Sequence, residues 1–282
     1  MPQKLYYSGP MYRHERPQRG RLRQFEQFGI ESMGIVHPAI DVESILIGWR
    51  FLNRLPLDVN INLELHLNTL GDAESRSNYR KVLKTYFENY RDKLSPDSQR
   101  RLDTNPLRIL DSKSEQDICI ISNAPIADEY LRPEASKHFE FVQAALKELD
   151  IPFIHNRRLV RGLDYYQHTV WEVTCSSSEL GTSQATVLAG GRYDGLTSAL
   201  GGKRVLPGVG WGSGIDRLAL LMADNNVPIP AMPVPIVIIP ETNLDIRSRC
   251  VDDQVYLFAI RVAETIRKYR SAYVVHGSVL ND

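Results

Sequence analysis

Cysteine is scarce in this 282-residue chain, and what there is does not pair: Cys119, Cys175 and Cys250 are odd in number, far apart and never spaced as C-x-x-C. That excludes a disulfide framework, gives no support to a cysteine zinc site, and fits a reducing, cytoplasmic setting. Net charge is also missing, with 34 Lys and Arg against 34 Asp and Glu. The balance argues against non-specific binding to nucleic acid or a membrane surface, while a local basic patch stays open because a sum hides its distribution. No run is suited to spanning a bilayer, since the most apolar stretch, Val227 to Pro240, is broken by prolines at 228, 230, 233, 235 and 240. The polar Pro2-Gln3-Lys4 after Met1 does not read as a secretory leader. Repeats and low-complexity segments are absent as well.

What is present is an ordinary globular composition, 43% hydrophobic, 24% charged and 9% aromatic, in a length that suits about two domains. Leu5-Tyr6-Tyr7 and Met11-Tyr12 read as a strand, Arg16 to Gly20 as a polar turn, and Phe25 to Val36 as the returning strand of an antiparallel hairpin. Ile45, Leu46, Trp49 and Leu52 recur at helical spacing within Ile40 to Leu55, and Val59 to Leu67 alternates as a strand. Helices are expected over Tyr79 to Tyr90 and Glu134 to Leu149, with a loop or short helix over Ser95 to Pro106. Residues 71–149 therefore read as a helical insertion. Strands return at His168 to Cys175 and Gln184 to Ala189, followed by a turn, a short helix over Tyr193 to Leu200, a strand over Leu206 to Trp211 and a helix over Ile215 to Ala223. After the proline-rich linker of Val227 to Pro235, Ile236 to Ile239, Gln254 to Tyr269 and Tyr273 to Val275 give strand, helix, strand, the opening of an α/β domain.

Four constellations carry candidate chemistry. Strand parity puts Met11, Arg13 and Glu15 on one face of the hairpin's first strand and Phe25, Gln27, Gly29 and Glu31 on one face of its second. Such a face offers phosphate neutralisation, hydrogen-bond readout and a gap for a ligand; it also fits a solvated sheet surface. Arg161-Gly162-Leu163-Asp164-Tyr165-Tyr166 brings one cation and two phenols together, although tyrosines with wet tips are common in cores. Ala189 to Gly195, with Gly190 and Gly191, reads alone as a turn. Gly208-Val209-Gly210-Trp211-Gly212-Ser213-Gly214 has glycine at every second position, so a strand there presents one bare face suited to a flat ring. It lacks the dinucleotide fingerprint, because Ser213 stands where that pattern needs glycine. Ser213 and Asp216 have the spacing of a capping box, and Arg217 in the first turn of the next helix makes a polyphosphate site. His14 and His168 have no matching partners for a metal and read as structural, so no metal site is expected.

These motifs, in this order, resemble those of histidyl-tRNA synthetases, a family of class II aminoacyl-tRNA synthetases. Tyr12 to Pro17 with Gln24 to Glu31 is similar to the family's second class II motif, Arg161 to Tyr166 and Leu188 to Leu196 to its two histidine-specific motifs, and Gly208 to Leu220 to its third class II motif. The resemblance implies an α/β (α+β) fold: an antiparallel sheet flanked by helices over 1–70 and 151–226, a helical insertion over 71–150, a linker over 227–235, and the start of an anticodon-binding domain over 236–282. It also implies ATP, carried with Mg²⁺, L-histidine and tRNA(His) as substrates, a histidyl-adenylate intermediate, and a homodimer at full length.

In that family the catalytic roles would fall to Arg161 and Arg13. Arg13 would hold the α-phosphate, Glu15 the adenine edge, Phe25 would stack on adenine, and Arg21 and Arg217 would bind the outer phosphates. Arg161 would bridge the α-phosphate and the substrate carboxylate. Gln27 would meet the amino end of histidine, Glu31 and Tyr166 would read its two ring nitrogens, and Tyr165 would shape the pocket. Arg16, Gln18 and Arg19 in the hairpin turn would face the tRNA acceptor stem. The resemblance opens inside the second motif's leading strand and ends before an anticodon-binding domain would close, so the chain is expected to be a fragment, with its activity alone left open. A different reading is a non-catalytic, histidine-sensing regulatory subunit of ATP phosphoribosyltransferase, which resembles the same family.

Overall fold

The computed structural model describes residues 2–14, 21–55, 57, 62–162, 165–175, 186–224, 236–238, 253–267 and 272–274. Two compact units divide the chain, residues 1–227 and 228–282.

In the first unit the hairpin forms as its alternation predicts, with β1 (Gln3–Tyr12) antiparallel to β2 (Gln24–Met33). Helix α1 (Ala39–Arg54) follows, then β3 (Leu63–Thr69). After β3 run α2 (Ala73–Glu88), α3 (Pro96–Thr104) and α4 (Glu115–Ser122), the inserted helices with a core of their own, and α5 (Pro133–Glu148), which packs in the main core and not with the expected insertion. After the short β4 (Ile154–His155) come β5 (Gln167–Cys175), β6 (Thr186–Arg192), α6 (Leu196–Ala199), β7 (Gly208–Gly214) and α7 (Ile215–Asp224). The strands build one sheet in the order β1-β2-β7-β6-β5-β3-β4, antiparallel throughout except for the parallel β3–β4 edge.

Because side chains alternate across a strand, this sheet has two unlike faces. The rear face carries Phe28, Leu65, Leu67, Trp171, Val173, Leu188 and Trp211, and packs on α1, α5 and α7 in the main core. Gly48 lets α1 approach closely, since a Cβ there would lie 2.9 Å from Leu188 Cδ1. The Trp211 indole N–H donates to the Ser44 carbonyl at 2.9 Å, which satisfies a buried donor. A second core, around Tyr79, Leu83, Phe87, Leu102 and Ile109 of the insertion, reaches Val170 on the front face of β5. The insertion therefore roofs one end of that front face.

Three further expectations need correction. Gly190, Gly191 and Arg192 are strand rather than turn: β6 runs through them, and Gly190 leaves room for Trp171 and Trp211 on its neighbours. Ser213 belongs to β7 and its hydroxyl donates to the Val187 carbonyl at 2.7 Å, so it caps no helix; Asp216 instead accepts from the Glu26 backbone N–H at 2.7 Å. Helix α2 begins six residues before Tyr79, at Ala73, where the Asp72 side chain caps it by accepting from Ser75 N at 2.8 Å.

In the second unit, β8 (Ile236–Ile238) and β9 (Ala272–Val274) pair in parallel, joined through α8 (Asp253–Arg267), whose Ala259 and Ala263 are buried. A crossover helix is the usual way to make a parallel pair.

Candidate active site

The front face is open at its centre because β7 places no side chain there. Gly210, Gly212 and Gly214 lie opposite Glu31, Gly29 and Gln27 of β2, and Gly212 and Gly210 lie opposite Ala189 and Gly191 of β6. A Cβ on Gly212 would sit 2.6 Å from Gln27 Nε2, one on Gly191 2.6 Å from the Tyr166 ring, and one on Gly210 would overlap the Glu31 carboxylate. Bare backbone thus gives longer side chains from neighbouring strands the space to lie along the sheet.

One half of this face is a phenol-ringed carboxylate. Tyr193 donates to Glu31, Gln27 Nε2 donates to the Tyr7 hydroxyl at 2.8 Å, and the Tyr165 ring stands 4.7 Å from Tyr166 and 6.0 Å from Tyr193. Burial raises Glu31 above the usual carboxylate range, an effect the Tyr193 bond only partly offsets. Burial likewise raises Tyr7, Tyr165, Tyr166 and Tyr193, so all four phenols remain protonated. A half-buried carboxylate among neutral hydroxyls and an amide suits a small polar ligand carrying its own N–H donors.

The other half is cationic. A cavity of about 720 Å³ is lined by Arg13, Arg21, Phe25, Gln27, Arg161 and Arg217 from the sheet side, and by Arg108 and Lys113 from the insertion. That volume lies within the range of cofactor and ligand pockets. The Arg13 guanidinium stacks 4.0 Å from the centroid of Phe25, and its Nε donates to the Leu22 carbonyl at 2.7 Å. Burial first, then the charges of Arg13 and Arg21, lower Arg217 below its ordinary value. Like charges assembled on a recessed face are costly unless an anion joins them. Arg161 pairs with Glu172 at 2.8 Å, and Arg217 donates to the Thr186 carbonyl.

Of the residues singled out from the sequence, the structure brings Arg13, Arg21, Phe25, Gln27, Arg161 and Arg217 to this cavity. Glu31, Tyr165 and Tyr166 lie on the same face beside Gln27. Glu15, Arg16, Gln18 and Arg19 lie outside the described residues, as does Cys250. His14 is exposed, while His168 stacks 4.4 Å from His138 beneath the rear face. Among the described residues no cluster of His, Cys, Asp or Glu is able to hold a metal ion, and no described helix is long and apolar enough to cross a membrane. Sequence reasoning passed over Tyr7, Glu172 and Thr186, and assigned no role to Tyr193. Tyr7 alone had a readable signal, since it shares the parity of Met11 and Arg13.

The fold and this divided site define a class II aminoacyl-tRNA synthetase catalytic domain, and comparison with solved structures agrees. A Staphylococcus aureus histidyl-tRNA synthetase, solved without ligand, superposes with a TM-score of 0.70 at 29% identity, covering 99% of this chain and 63% of that one. A Bacillus halodurans protein described as an ATP phosphoribosyltransferase regulatory subunit/histidyl-tRNA synthetase shares the fold, with a TM-score of 0.56 at 20% identity over 99% of this chain and 69% of that one. The histidyl-tRNA synthetase family model matches residues 1–218, and the chain belongs to that family. A curated histidine–tRNA ligase from Latilactobacillus sakei is 49% identical over 233 residues, 83% of this chain and 53% of the relative. One from Marinomonas is 45% identical over 276 residues, 97% of this chain and 61% of the relative. The chain thus spans a little over half the length of such relatives.

Proposed function

We propose that this chain carries the ATP- and histidine-binding core of a histidine–tRNA ligase, which joins L-histidine to tRNA(His) through a histidyl-adenylate. The supporting observation is the adjacency on one sheet face of an arginine cavity and a carboxylate–phenol pocket, with Gln27 at their boundary. In the first step the histidine carboxylate attacks the α-phosphorus of ATP, and the bond to the β-phosphate oxygen breaks to release pyrophosphate. The carboxylate is already ionised at neutral pH, so the chain supplies position and positive charge rather than a base. ATP arrives with Mg²⁺, which shares in neutralising its phosphates. Arg13 and Arg161 serve the α-phosphate, and Arg21 and Arg217 the outer phosphates, while Phe25 offers its ring to adenine. Glu31 accepts an imidazole N–H, with Tyr166 at the other nitrogen, Tyr165 shaping the pocket and Gln27 at the amino end. The terminal ribose of tRNA(His) then captures the adenylate. The setting proposed is cytoplasmic, as a homodimer at full length.

A histidine-sensing regulatory subunit has no use for four arginines suited to a triphosphate, so ATP binding separates it from a ligase. Titration of the chain is expected to show saturable binding of Mg²⁺–ATP and of L-histidine. Arg161→Ala should weaken ATP at least about tenfold, as loss of a charged hydrogen bond worth roughly 1.5–3 kcal/mol requires. In a protein joining this chain to the remaining length of its relatives, the same substitution should abolish histidine-dependent pyrophosphate exchange without unfolding the protein. Near-normal exchange by that variant would sink the assignment.

A further inference from the structure

Glu172 is one of three carboxylates, with Asp111 and Asp216, that line a cavity suited to polyanions, and of the three it is the one paired with Arg161. It projects from the front face of β5, where a carboxylate repels phosphate, yet it is largely enclosed, with its side chain 18% exposed. One oxygen, Oε2, accepts two bonds: from Arg161 Nη1 at 2.8 Å and from the Thr186 hydroxyl at 2.9 Å. Thr186 is itself bound at its other end, because its carbonyl accepts from Arg217 Nη1. The two arginines on either side of β5 and β6 are therefore tied through one short chain of contacts, Arg161–Glu172–Thr186–Arg217. Within Arg161, Nη1 is occupied by Glu172, whereas the enclosed Nε has no hydrogen-bond partner among the described residues. A guanidinium presents Nε and Nη2 along one edge, which matches two oxygens of a phosphate or carboxylate. An enclosed donor without a partner is costly, and a ligand oxygen would satisfy it.

We propose that Glu172 and Thr186 are positioning residues that hold Arg161 by its Nη1 and set its spacing from Arg217, so that the Nε–Nη2 edge of Arg161 faces the reacting oxygens. This rests on the ATP-binding reading above and adds to it two residues that touch no substrate. The electrostatic sign makes the inference testable. A bystander carboxylate would repel ATP, so neutralising it should tighten binding; a carboxylate that orients Arg161 gives the opposite result.

The experiment is equilibrium titration of the 282-residue chain with Mg²⁺–ATP and, separately, with adenosine, for the wild type and for Glu172→Gln, Thr186→Val, Thr186→Ser and the Glu172→Gln/Thr186→Val double variant. Glu172→Gln should weaken ATP about tenfold, and Thr186→Val, which keeps the carbonyl but loses the hydroxyl, about threefold to fivefold, with adenosine unchanged in both. Thr186→Ser should restore wild-type affinity, and the double variant should be no weaker than Glu172→Gln alone, since both changes act through one contact chain. Tighter or unchanged ATP binding by Glu172→Gln would overturn the inference, as would equal losses for ATP and adenosine, which mark a collapsed site. Should Glu172→Gln fail to fold, Thr186→Val and Thr186→Ser decide alone, and equal affinities for the two refute the relay. A wild-type chain that binds no ATP defeats the ATP-site reading along with the inference, whereas a binding wild type with indifferent variants defeats only the inference.

Discussion

The two faces of the seven-stranded sheet are built from the same strands by opposite means. The rear face is filled, with Trp171, Trp211, Leu65 and Leu67 all nearly inaccessible, and it follows the ordinary logic that burial of apolar area is what stabilises a fold. The front face is emptied: glycines of β7 leave a floor on which Gln27, Glu31, Tyr7 and Tyr193 lie and into which arginines reach. Each face nevertheless contains ion pairs, and these differ in kind. Behind the sheet, Arg192 and Asp41 are both fully buried, joined at 2.6 Å, and the remaining bonding capacity of Asp41 is taken by His138 at 2.6 Å and Thr169 at 2.7 Å. In front, Arg161 keeps an enclosed donor without a partner among the described residues. A saturated pair belongs to structure, and an unsaturated one belongs to a site.

The strongest way to break that contrast is to remove one half of the rear pair. Burial alone would raise the Asp41 carboxyl, but its bonds to His138 and Arg192 overcome this and hold it below the usual carboxylate range. Asp41→Ala would leave the buried Arg192 guanidinium with Asp194, 3.1 Å from its Nη1, as its remaining carboxylate; loss of one partner from a buried charge cluster costs at most about 3–5 kcal/mol. A denaturation midpoint shifted by that amount is expected, with most of it recovered when Arg192→Met is added and both charges are gone. An unshifted midpoint would mean that the rear pair is as dispensable to the fold as a surface one.

A second expectation concerns pH. Burial, followed by the stacked His138 ring, lowers His168 to about 4. An unfolded histidine titrates near about 6.5, so across that window the unfolded chain binds the extra proton. Stability contributed by a neutral His168 is fully present above pH ~6.5 and is lost as pH falls towards 4, by on the order of 3 kcal/mol. Asp41, already held low, gives up its share only in stronger acid. His168 has φ of 48°, so His168→Asn, which tolerates that backbone, is the control. Denaturation midpoints measured across the window should slope less steeply for the variant than for the wild type, the remainder including His155, which burial also lowers; parallel slopes would assign the pH dependence elsewhere.

How much of this was legible follows from range. The hairpin, α1 and the bare face of β7 are written in periods of two and 3.6 residues, which a chain displays locally. Parity also placed Arg13, Gln27 and Glu31 correctly. The errors arose where a residue's meaning depends on a distant partner. Gly190 and Gly191 read as a turn because glycine permits one, whereas their purpose is to admit rings of Trp171, Trp211 and Tyr166. Arg192 gave no sign of burial because Asp41 lies 151 residues away, and Tyr193 gave none of its bond to Glu31, 162 residues distant. The Ser213–Asp216 spacing misled for a related reason, since sheet pairing extends β7 past Ser213 and overrides a local capping signal.

The finest contrast lies between two glycines of the front face itself. Gly212 stands under the amide of Gln27, and a Cβ there would lie 2.6 Å from Gln27 Nε2 and 3.2 Å from the Tyr7 hydroxyl. Both obstacles are ends of side chains, so Gly212→Ala should cost no more than about 1–3 kcal/mol of stability. By displacing the Gln27–Tyr7 bond it should nonetheless weaken L-histidine binding about tenfold, the worth of a typical hydrogen bond. Gly9, on β1 opposite Gln27, is different: a Cβ there meets nothing within 4 Å. Gly9→Ala should leave histidine binding unchanged and alter stability by no more than about 0.5 kcal/mol. Calorimetric titration of the two variants measures what an empty position is for. If Gly9→Ala lost histidine as Gly212→Ala does, the front face would need its glycines for backbone freedom along the strands, and the room they leave above the sheet would be incidental.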